Sequence, residues 1–276
     1  MRFACQIGAR CVDHERSETS PMVPPWRVVC MTIINAEPSK WPKAVPPLTD
    51  EQRRISDDFM KYWHEVLPRK YGVVETFNHE YAVKHAPKTF RTTLEIGAGL
   101  GEHLNYEVLT PEQKSHYYAL ELRENMAEGI RKAHPGINTV CADCQSRMPF
   151  EDGYFDRILA VHVLEHLPNL PAALDEIHRL CNKKSGTFSV VIPCEGGLAY
   201  SLARRISAQR IFESRYKMPY DWFYKREHIN FPGEIQEEIS RKFDISSRAY
   251  FPLLIPSISM NLCIGLTANP RASASV

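Results

Sequence analysis

The residues Glu95-Ile96-Gly97-Ala98-Gly99-Leu100-Gly101 close a short apolar run that begins at Thr92. Glycines at a strand end let the backbone turn sharply and approach a ligand with no Cβ in the way. A helix starting there aims free N–H groups at an anionic group. Glu121 ends the next apolar run, 20 residues after Gly101, where a carboxylate accepts both hydroxyls of a ribose. The ordinary alternatives are a tight strand-to-helix turn and a solvated strand-end charge. The spacing is not that of the dinucleotide fingerprint G-x-G-x-x-G, because the third glycine comes one residue early and Glu102 stands in its place. The Gly-Lys-Ser/Thr of a nucleoside triphosphate loop is absent. The chemistry indicated is the binding of a nucleoside-containing cofactor.

Two further segments follow in order. One is Cys141-Ala142-Asp143-Cys144, with Met148-Pro149-Phe150 and Asp152-Gly153-Tyr154-Phe155-Asp156 behind it. The other is His162-Val163-Leu164-Glu165-His166-Leu167. Together with the glycine turn and Glu121 they resemble class I S-adenosylmethionine-dependent methyltransferases, and within these the small-molecule enzymes often grouped as type 11. The matches run from Leu94 to Pro193, about a third of the chain. The resemblance implies a Rossmann-like doubly wound α/β fold with a seven-stranded, mostly parallel sheet and an antiparallel last strand. It implies that Glu95 and Gly97, with Ala98, Gly99 and Gly101, hold the methionine part of S-adenosylmethionine. Glu121 would hold the ribose and Asp143, beside Cys144, the adenine. Leu122 and Leu164 would line the adenine and inner pocket, and His162 would touch the cofactor from the end of the fourth strand. The implied activity is methyl transfer, an in-line displacement that needs alignment more than covalent help.

Competing chemistries use some of the same residues. His162-x-x-Glu165-His166 fits a zinc hydrolase pattern if both imidazoles share a helix face, but no third ligand is evident and no metal is expected. Cys141 and Cys144 have C-x-x-C spacing at a strand end, where small core residues are the simpler account. Pro193-Cys194 is similar to the nucleophile motif of cytosine C5 methyltransferases, yet it follows the fifth strand rather than the fourth. The adenine amino methyltransferase motif is missing. A domain that binds the cofactor without transferring a methyl group is a further alternative.

The acceptor should meet the segment that leaves the fifth strand. Between Tyr200 and Arg226 that segment carries seven Lys/Arg against two acids, with seven aromatic residues interleaved. Arginines suit phosphate or carboxylate groups and aromatic rings suit sugar or nucleoside faces. The expectation is a small and anionic acceptor (sugar, nucleotide-linked or lipid head group) bound by Arg204, Tyr220 and Tyr224, with His228 as general base. An amphipathic lid with a solvated basic face explains the same pattern.

The elements that must position these residues follow from periodicity. Thr49 and Gln52 form a capping-box pair ahead of Ile55, Phe59, Tyr62, Trp63 and Val66. A second helix should cover Val74 to His85, stopped by Pro87, with Tyr71 and Tyr81 on helix faces. From Arg91, short apolar runs alternate with amphipathic stretches, the pattern of a parallel sheet covered on both faces. A strand near Ile245 to Tyr250 and another near Met260 to Leu266 complete the sheet. The organisation expected is an unstructured extension over 1–46, in which Met22 and Met31 are alternative starts, and an N-terminal helical segment over 47–90. A cofactor core over 91–195, a basic and aromatic cap over 196–232, the rest of the sheet over 233–270 and a tail over 271–276 follow.

Of the 276 residues, 43% are hydrophobic and 24% charged, with a net charge of +1, an ordinary globular composition that does not favour nucleic acid. Eight cysteines lack disulfide-scaffold spacing, and with no secretory signal evident the thiols read as reduced and the protein as cytoplasmic. No apolar run reaches the ~20 residues of a membrane span, although the basic segment 198–217 leaves peripheral membrane contact open. The oligomeric state has no signature in the sequence.

Overall fold

In the computed structural model, residues 40–70 and 72–272 are described, with the backbone alone for 63–70. The expectations for Met22, Met31 and Tyr71 lie outside these residues. The helices are α1 (Asp50–Lys70), α2 (Gly72–Lys84), α3 (Pro111–Ser115), α4 (Glu124–Ala133), α5 (Leu170–Leu180), α6 (Leu198–Arg204), α7 (Arg210–Tyr216), α8 (Asp221–Glu227) and α9 (Pro232–Lys242). The strands are β1 (Thr93–Ile96), β2 (Tyr117–Glu121), β3 (Asn138–Cys141), β4 (Arg157–Val161), β5 (Thr187–Pro193), β6 (Phe243–Phe251) and β7 (Cys263–Pro270).

The strands form one sheet in the order β3-β2-β1-β4-β5-β7-β6. Pairing is parallel from β3 through β5, and β7 runs antiparallel to both β5 and β6. This is the Rossmann-like seven-stranded sheet with an antiparallel last strand. The order reverses between β1 and β4, so a crevice opens beyond their carboxyl ends. The last strand begins at Cys263, not Met260, because 258–260 is a 3-10 turn. The Asn261 side chain fixes that turn by accepting from Leu253 N and donating to the Ile255 and Ser257 carbonyls.

Period-2 alternation sends the two faces of the sheet to different layers. Leu94, Ile96, Leu120, Ile158, Ala160, Val190 and Ile192 face α5 and α9, which contribute Leu174, Ile177, Ile235 and Ile239 to a single apolar cluster. The opposite face, under α2, combines an apolar patch of Tyr81, Val191, Cys263 and Phe77 with a buried polar cluster. Arg157, fully buried, donates to Glu107 at 2.7 Å and to the Ala82 carbonyl at 3.0 Å. His103 bonds the same Glu107 at 2.7 Å. Burial works against ionisation of Glu107, but His103 and Arg157 outweigh it and hold the carboxyl at about 2. Tyr81 packs in this layer with its hydroxyl 3.1 Å from Thr267 Oγ1, a helix-face packing role.

The capping pair at Thr49 and Gln52 is present, at 3.0 and 3.1 Å. The two N-terminal helices serve different layers. α2 covers the sheet, whereas α1 packs Ile55, Phe59 and Tyr62 against the cap residues Phe212, Tyr216, Tyr220 and Phe223. The end of the extension also differs from expectation. Residues 40–46 are held to the core, because Lys43 donates from its backbone to Pro168 and from Nζ to Ile229 and Glu234, while Trp41 packs on the apolar cluster. No helix among the described residues is long and apolar enough to cross a membrane.

Removing one partner of a buried ion pair leaves the other charge uncompensated. Arg157→Met should cost about 3–5 kcal/mol in urea unfolding. Joint replacement with Glu107→Leu should recover part of that loss, and a single-variant cost below about 1 kcal/mol would contradict the assignment.

Candidate functional site

Five strand ends, those of β1 to β5, meet at the carboxyl edge of the sheet. β1 runs into the glycine turn, where Gly97, Gly99 and Gly101 have φ of 66°, 59° and 88°. A Cβ on Gly97 would lie 2.5 Å from Val163 Cγ2, and one on Gly99 would lie 2.7 Å from Glu102 Oε2. Glycine is therefore favoured by backbone conformation at all three positions, and at Gly97 by space as well, since the Glu102 carboxylate beside Gly99 can move aside. The turn closes the crevice between the ends of β1 and β4. Gly101 opens a 3-10 helix over Glu102–Tyr106 rather than a long α-helix.

Glu121, at the end of β2, is buried and faces this turn. Its Oε2 accepts from Gly99 N at 3.1 Å and its Oε1 from Arg123 N at 3.0 Å. Leu122 beside it is exposed, an unusual setting for a leucine at a strand end. Asp143, after β3, is half-buried and accepts from the Gln145 backbone and side chain at 2.9 and 3.0 Å. Cys144 is buried, and burial pushes its thiol up to about 12, while Cys141 is exposed rather than in the core. Ala98 is buried in a small cluster with Leu104 and Ile130.

Three residues depart from the expected positions. Glu95 does not face the turn; it lies under the sheet and accepts from Tyr117 Oη at 2.7 Å. Period-2 alternation puts it on the same face as Tyr117 and Arg157. Leu164 is wholly buried in the apolar core. Tyr220 is buried in the cap's aromatic cluster against Phe59 and Phe212.

After β4 the backbone turns through His162, whose φ is 53°, into a 3-10 turn over Leu164–His166. His162 and His166 therefore do not share an α-helical face, and the zinc pattern drawn on that assumption is not formed. His162 Nδ1 instead meets Glu165 Oε1 at 3.1 Å. Burial opposes protonation of His162, but Cys263 and Glu165 outweigh it and raise its pKa. Burial likewise opposes ionisation of Glu165, yet His162 and the neighbouring imidazoles hold it at about 2.

The cap is tied to this edge by a residue the motifs did not single out. Glu195 follows β5, is 2% exposed, and gathers four donors. Its Oε1 accepts from Gly196 N at 3.0 Å, from Arg204 at 2.8 Å and from Tyr224 Oη, and its Oε2 meets His228 Nδ1 at 2.8 Å. The Arg204 guanidinium also lies 3.5 Å from the Tyr224 ring centroid. Arg204 is thus neutralised from within and does not stand free for an acceptor. The signal available in the sequence was an acid placed directly after a buried strand. His228 Nδ1 is occupied by Glu195, so in the neutral imidazole with Nδ1–H donating, Nε2 keeps the lone pair. The histidine and carboxylate form the oriented pair that general-base chemistry uses.

The cap also exposes apolar residues. Leu198, Leu202 and Ile206 are 78%, 61% and 67% exposed at a spacing of four. Leu254 and Ile255, in the β6–β7 connection, are exposed as well.

Residues 94–190 match the family described as "Methyltransferase domain". A sterol 4-C-methyltransferase, strm-1, from Caenorhabditis elegans is 44% identical over 62 residues, which are 21% of this chain and 18% of that protein. The chain thus spans under a fifth of that relative. A probable phthiotriol/phenolphthiotriol dimycocerosates methyltransferase 2 from Mycobacterium ulcerans (strain Agy99) is 24% identical over 196 residues, covering 57% of this chain and 75% of that one. Among solved structures, the PH0226 protein of Pyrococcus horikoshii OT3 superposes with a TM-score of 0.55 at 14% identity, covering 76% of this chain and 99% of that one. That likeness is one of fold.

Glu95 gives a test of the face assignment. Burial, only partly offset by Tyr117, raises its pKa from 4.5 to about 8. Below pH 4.5 the residue is protonated in both the folded and unfolded states. Between 4.5 and 8 the unfolded chain loses the proton and the folded chain keeps it, so this residue's contribution to stability falls as pH rises. Glu95→Gln should therefore gain on the wild type by about 1 kcal/mol per pH unit across that window. A pH-independent difference in denaturant unfolding would place Glu95 in solvent.

Proposed function

We propose that the chain, whose residues 94–190 carry a methyltransferase domain, uses S-adenosylmethionine and transfers its methyl group to a polar group of a small amphiphilic acceptor at the carboxyl edge of the sheet. The observation that carries this reading is the shared edge. The glycine turn with Glu121 lies at the ends of β1 and β2, and the His228–Glu195 pair lies at the end of β5.

The residues fit the cofactor. The turn is a cradle that a Cβ would fill, and the Glu121 carboxylate sits at its amide. In this reading Gly97, Ala98, Gly99 and Gly101 border the methionine and sugar, Glu121 takes the ribose hydroxyls, and Asp143, Cys144 and the exposed Leu122 meet the adenine. His162 stands at the β4 end of the crevice. S-adenosylmethionine supplies an electrophilic methyl group on a cationic sulfur. The protein's part is to align the acceptor and to take its proton. His228 Nε2, with Nδ1 held by Glu195, is placed to accept that proton.

The acceptor class follows from the cap. Arg205 and Arg210 are exposed while Arg204 is paired with Glu195, which leaves an exposed basic margin beside the apolar row Leu198, Leu202 and Ile206. A lipid head group with its attached chain satisfies both features better than a sugar phosphate does. Two relatives are named for a sterol and for phthiotriol dimycocerosates, which is in keeping with an amphiphilic acceptor.

The test is transfer of label from methyl-labelled S-adenosylmethionine to a panel of acceptors in matched pairs, head group alone against head group with acyl chain. Amphiphiles should be methylated and free head groups should not; the reverse order would remove the acceptor class. With an acceptor in hand, His228→Ala should lower turnover about 10²–10⁴-fold with little change in cofactor affinity. Full turnover would remove the proton-accepting role.

A further inference from the structure

We propose that Glu165, His166 and His228 form a binding site for a divalent transition cation of the zinc class at the acceptor end of the crevice. One potential ligand atom from each residue lies within 4.8 Å of the others. Two imidazoles and a carboxylate are the donor set that suits such ions, with positions left open for a further ligand.

The lone pairs are already aimed by hydrogen bonds behind them. His166 Nδ1 is engaged by the Glu227 carbonyl and His228 Nδ1 by Glu195 Oε2 at 2.8 Å. Both imidazoles therefore keep Nε2 as an acceptor, the arrangement in which a second group fixes the tautomer of a ligating histidine. Glu165 is 1% exposed, and its Oε1 accepts from His162 while its Oε2 is buried with no hydrogen-bond partner among the described residues. The oxygen nearest His166 Nε2 is Oε1, at 3.9 Å, so an ion between the side chains would meet the carboxylate there, while the unpartnered Oε2 leaves the buried group short of the donors or cation that offset its burial.

The frame is rigid where the ligands attach. Ile229 N and Asn230 N both donate to the Glu165 carbonyl at 3.0 Å. The Asn230 side chain donates to the Leu164 and Leu167 carbonyls at 2.8 Å each. These four bonds join the two segments that carry the ligands. Two ligand atoms at about 2.1 Å from one ion lie about 3.4 Å apart, so side chains whose ligand atoms lie within 4.8 Å close by at most about 1.4 Å on binding. His162, which the linear zinc pattern would have used, stands behind Glu165, and its place is taken by His228 from the cap.

The site stands on its own geometry, and its use in methyl transfer rests on the reading above. An ion here would hold an acceptor oxygen and lower its pKa. The Nε2 lone pair of His228 cannot hold the ion and take the proton at once, so with the ion bound the ion-held hydroxyl would lose its proton to bulk water, and His228 would accept it only in the ion-free protein.

The experiment is calorimetric titration of the chelator-stripped full chain with Zn²⁺, and with Co²⁺ while its visible absorption is recorded. S-adenosylhomocysteine binding is measured on the same samples. The expected result is one equivalent of ion bound, with d–d bands of a low-coordinate N,O site. His166→Ala and Glu165→Gln should each weaken binding at least 10-fold, and Glu195→Gln about 10–100-fold, with cofactor-product affinity retained. If a variant fails to fold by circular dichroism, His228→Gln and the wild-type Co²⁺ spectrum decide the matter. Wild-type protein that binds S-adenosylhomocysteine but neither ion overturns the proposal, as does ion binding that survives His166→Ala and His228→Gln. Loss of S-adenosylhomocysteine binding with ion binding intact would instead count against the methyltransferase reading.

Discussion

The carboxylate of Glu195 is the constraint on which the acceptor side of the molecule depends. It emerges from β5 at the edge of the sheet and binds one residue from α6, one from α8 and His228 after α8. Burial makes ionisation of this group costly, but His228 and Tyr224 outweigh that cost and keep its pKa below the usual carboxylate range. A buried charge of this kind stabilises a structure only while its donors are in place. The cap is thus registered to the sheet by the same group that orients His228. Position of the cap and orientation of the imidazole are a single property.

The rest of the architecture divides the work between two layers. The α5 and α9 side is mainly apolar, with Glu176 and Glu238 buried at its margin, and carries the ordinary burial energy of an α/β domain. The α2 side holds Glu95, Tyr117, Arg157, Glu107 and His103. A polar cluster of this kind adds less net stability than an apolar one, but it permits few alternative packings. The cap has its own aromatic core around Phe59 and Phe212, whose rings meet edge to face at 5.1 Å. α1 therefore links the N-terminal part of the chain to the acceptor side rather than to the cofactor side.

Much of this was legible in the sequence because it is local. The glycine turn, the acid after β2 and the alternation of strands and helices are set by spacing along the chain, and they prescribe the sheet and its crevice. What was not legible depends on which way a side chain faces and on what returns from far away. Glu95 has the type and place of a ligand-binding acid, but the strand period turns it under the sheet toward Tyr117. Arg204 has the character of an anion-binding residue, but Glu195, nine positions earlier, consumes its charge. His162, Glu165 and His166 form a convincing linear pattern, yet a left-handed residue and a 3-10 turn break it. The group that assembles draws its third member, His228, from 62 residues further on. Long-range pairing of that kind leaves no periodic trace.

On the cofactor side everything turns on one proposal, that the glycine turn and Glu121 bind the nucleoside of S-adenosylmethionine. Calorimetric titration of S-adenosylhomocysteine into the wild-type chain and into Glu121→Ala tests it most directly. One equivalent should bind to the wild type, and loss of the carboxylate should weaken it at least 10-fold, as expected for charge-assisted hydrogen bonds of about 1.5–3 kcal/mol. Absence of binding to the wild type at millimolar ligand, or equal affinity in the two proteins, would contradict it.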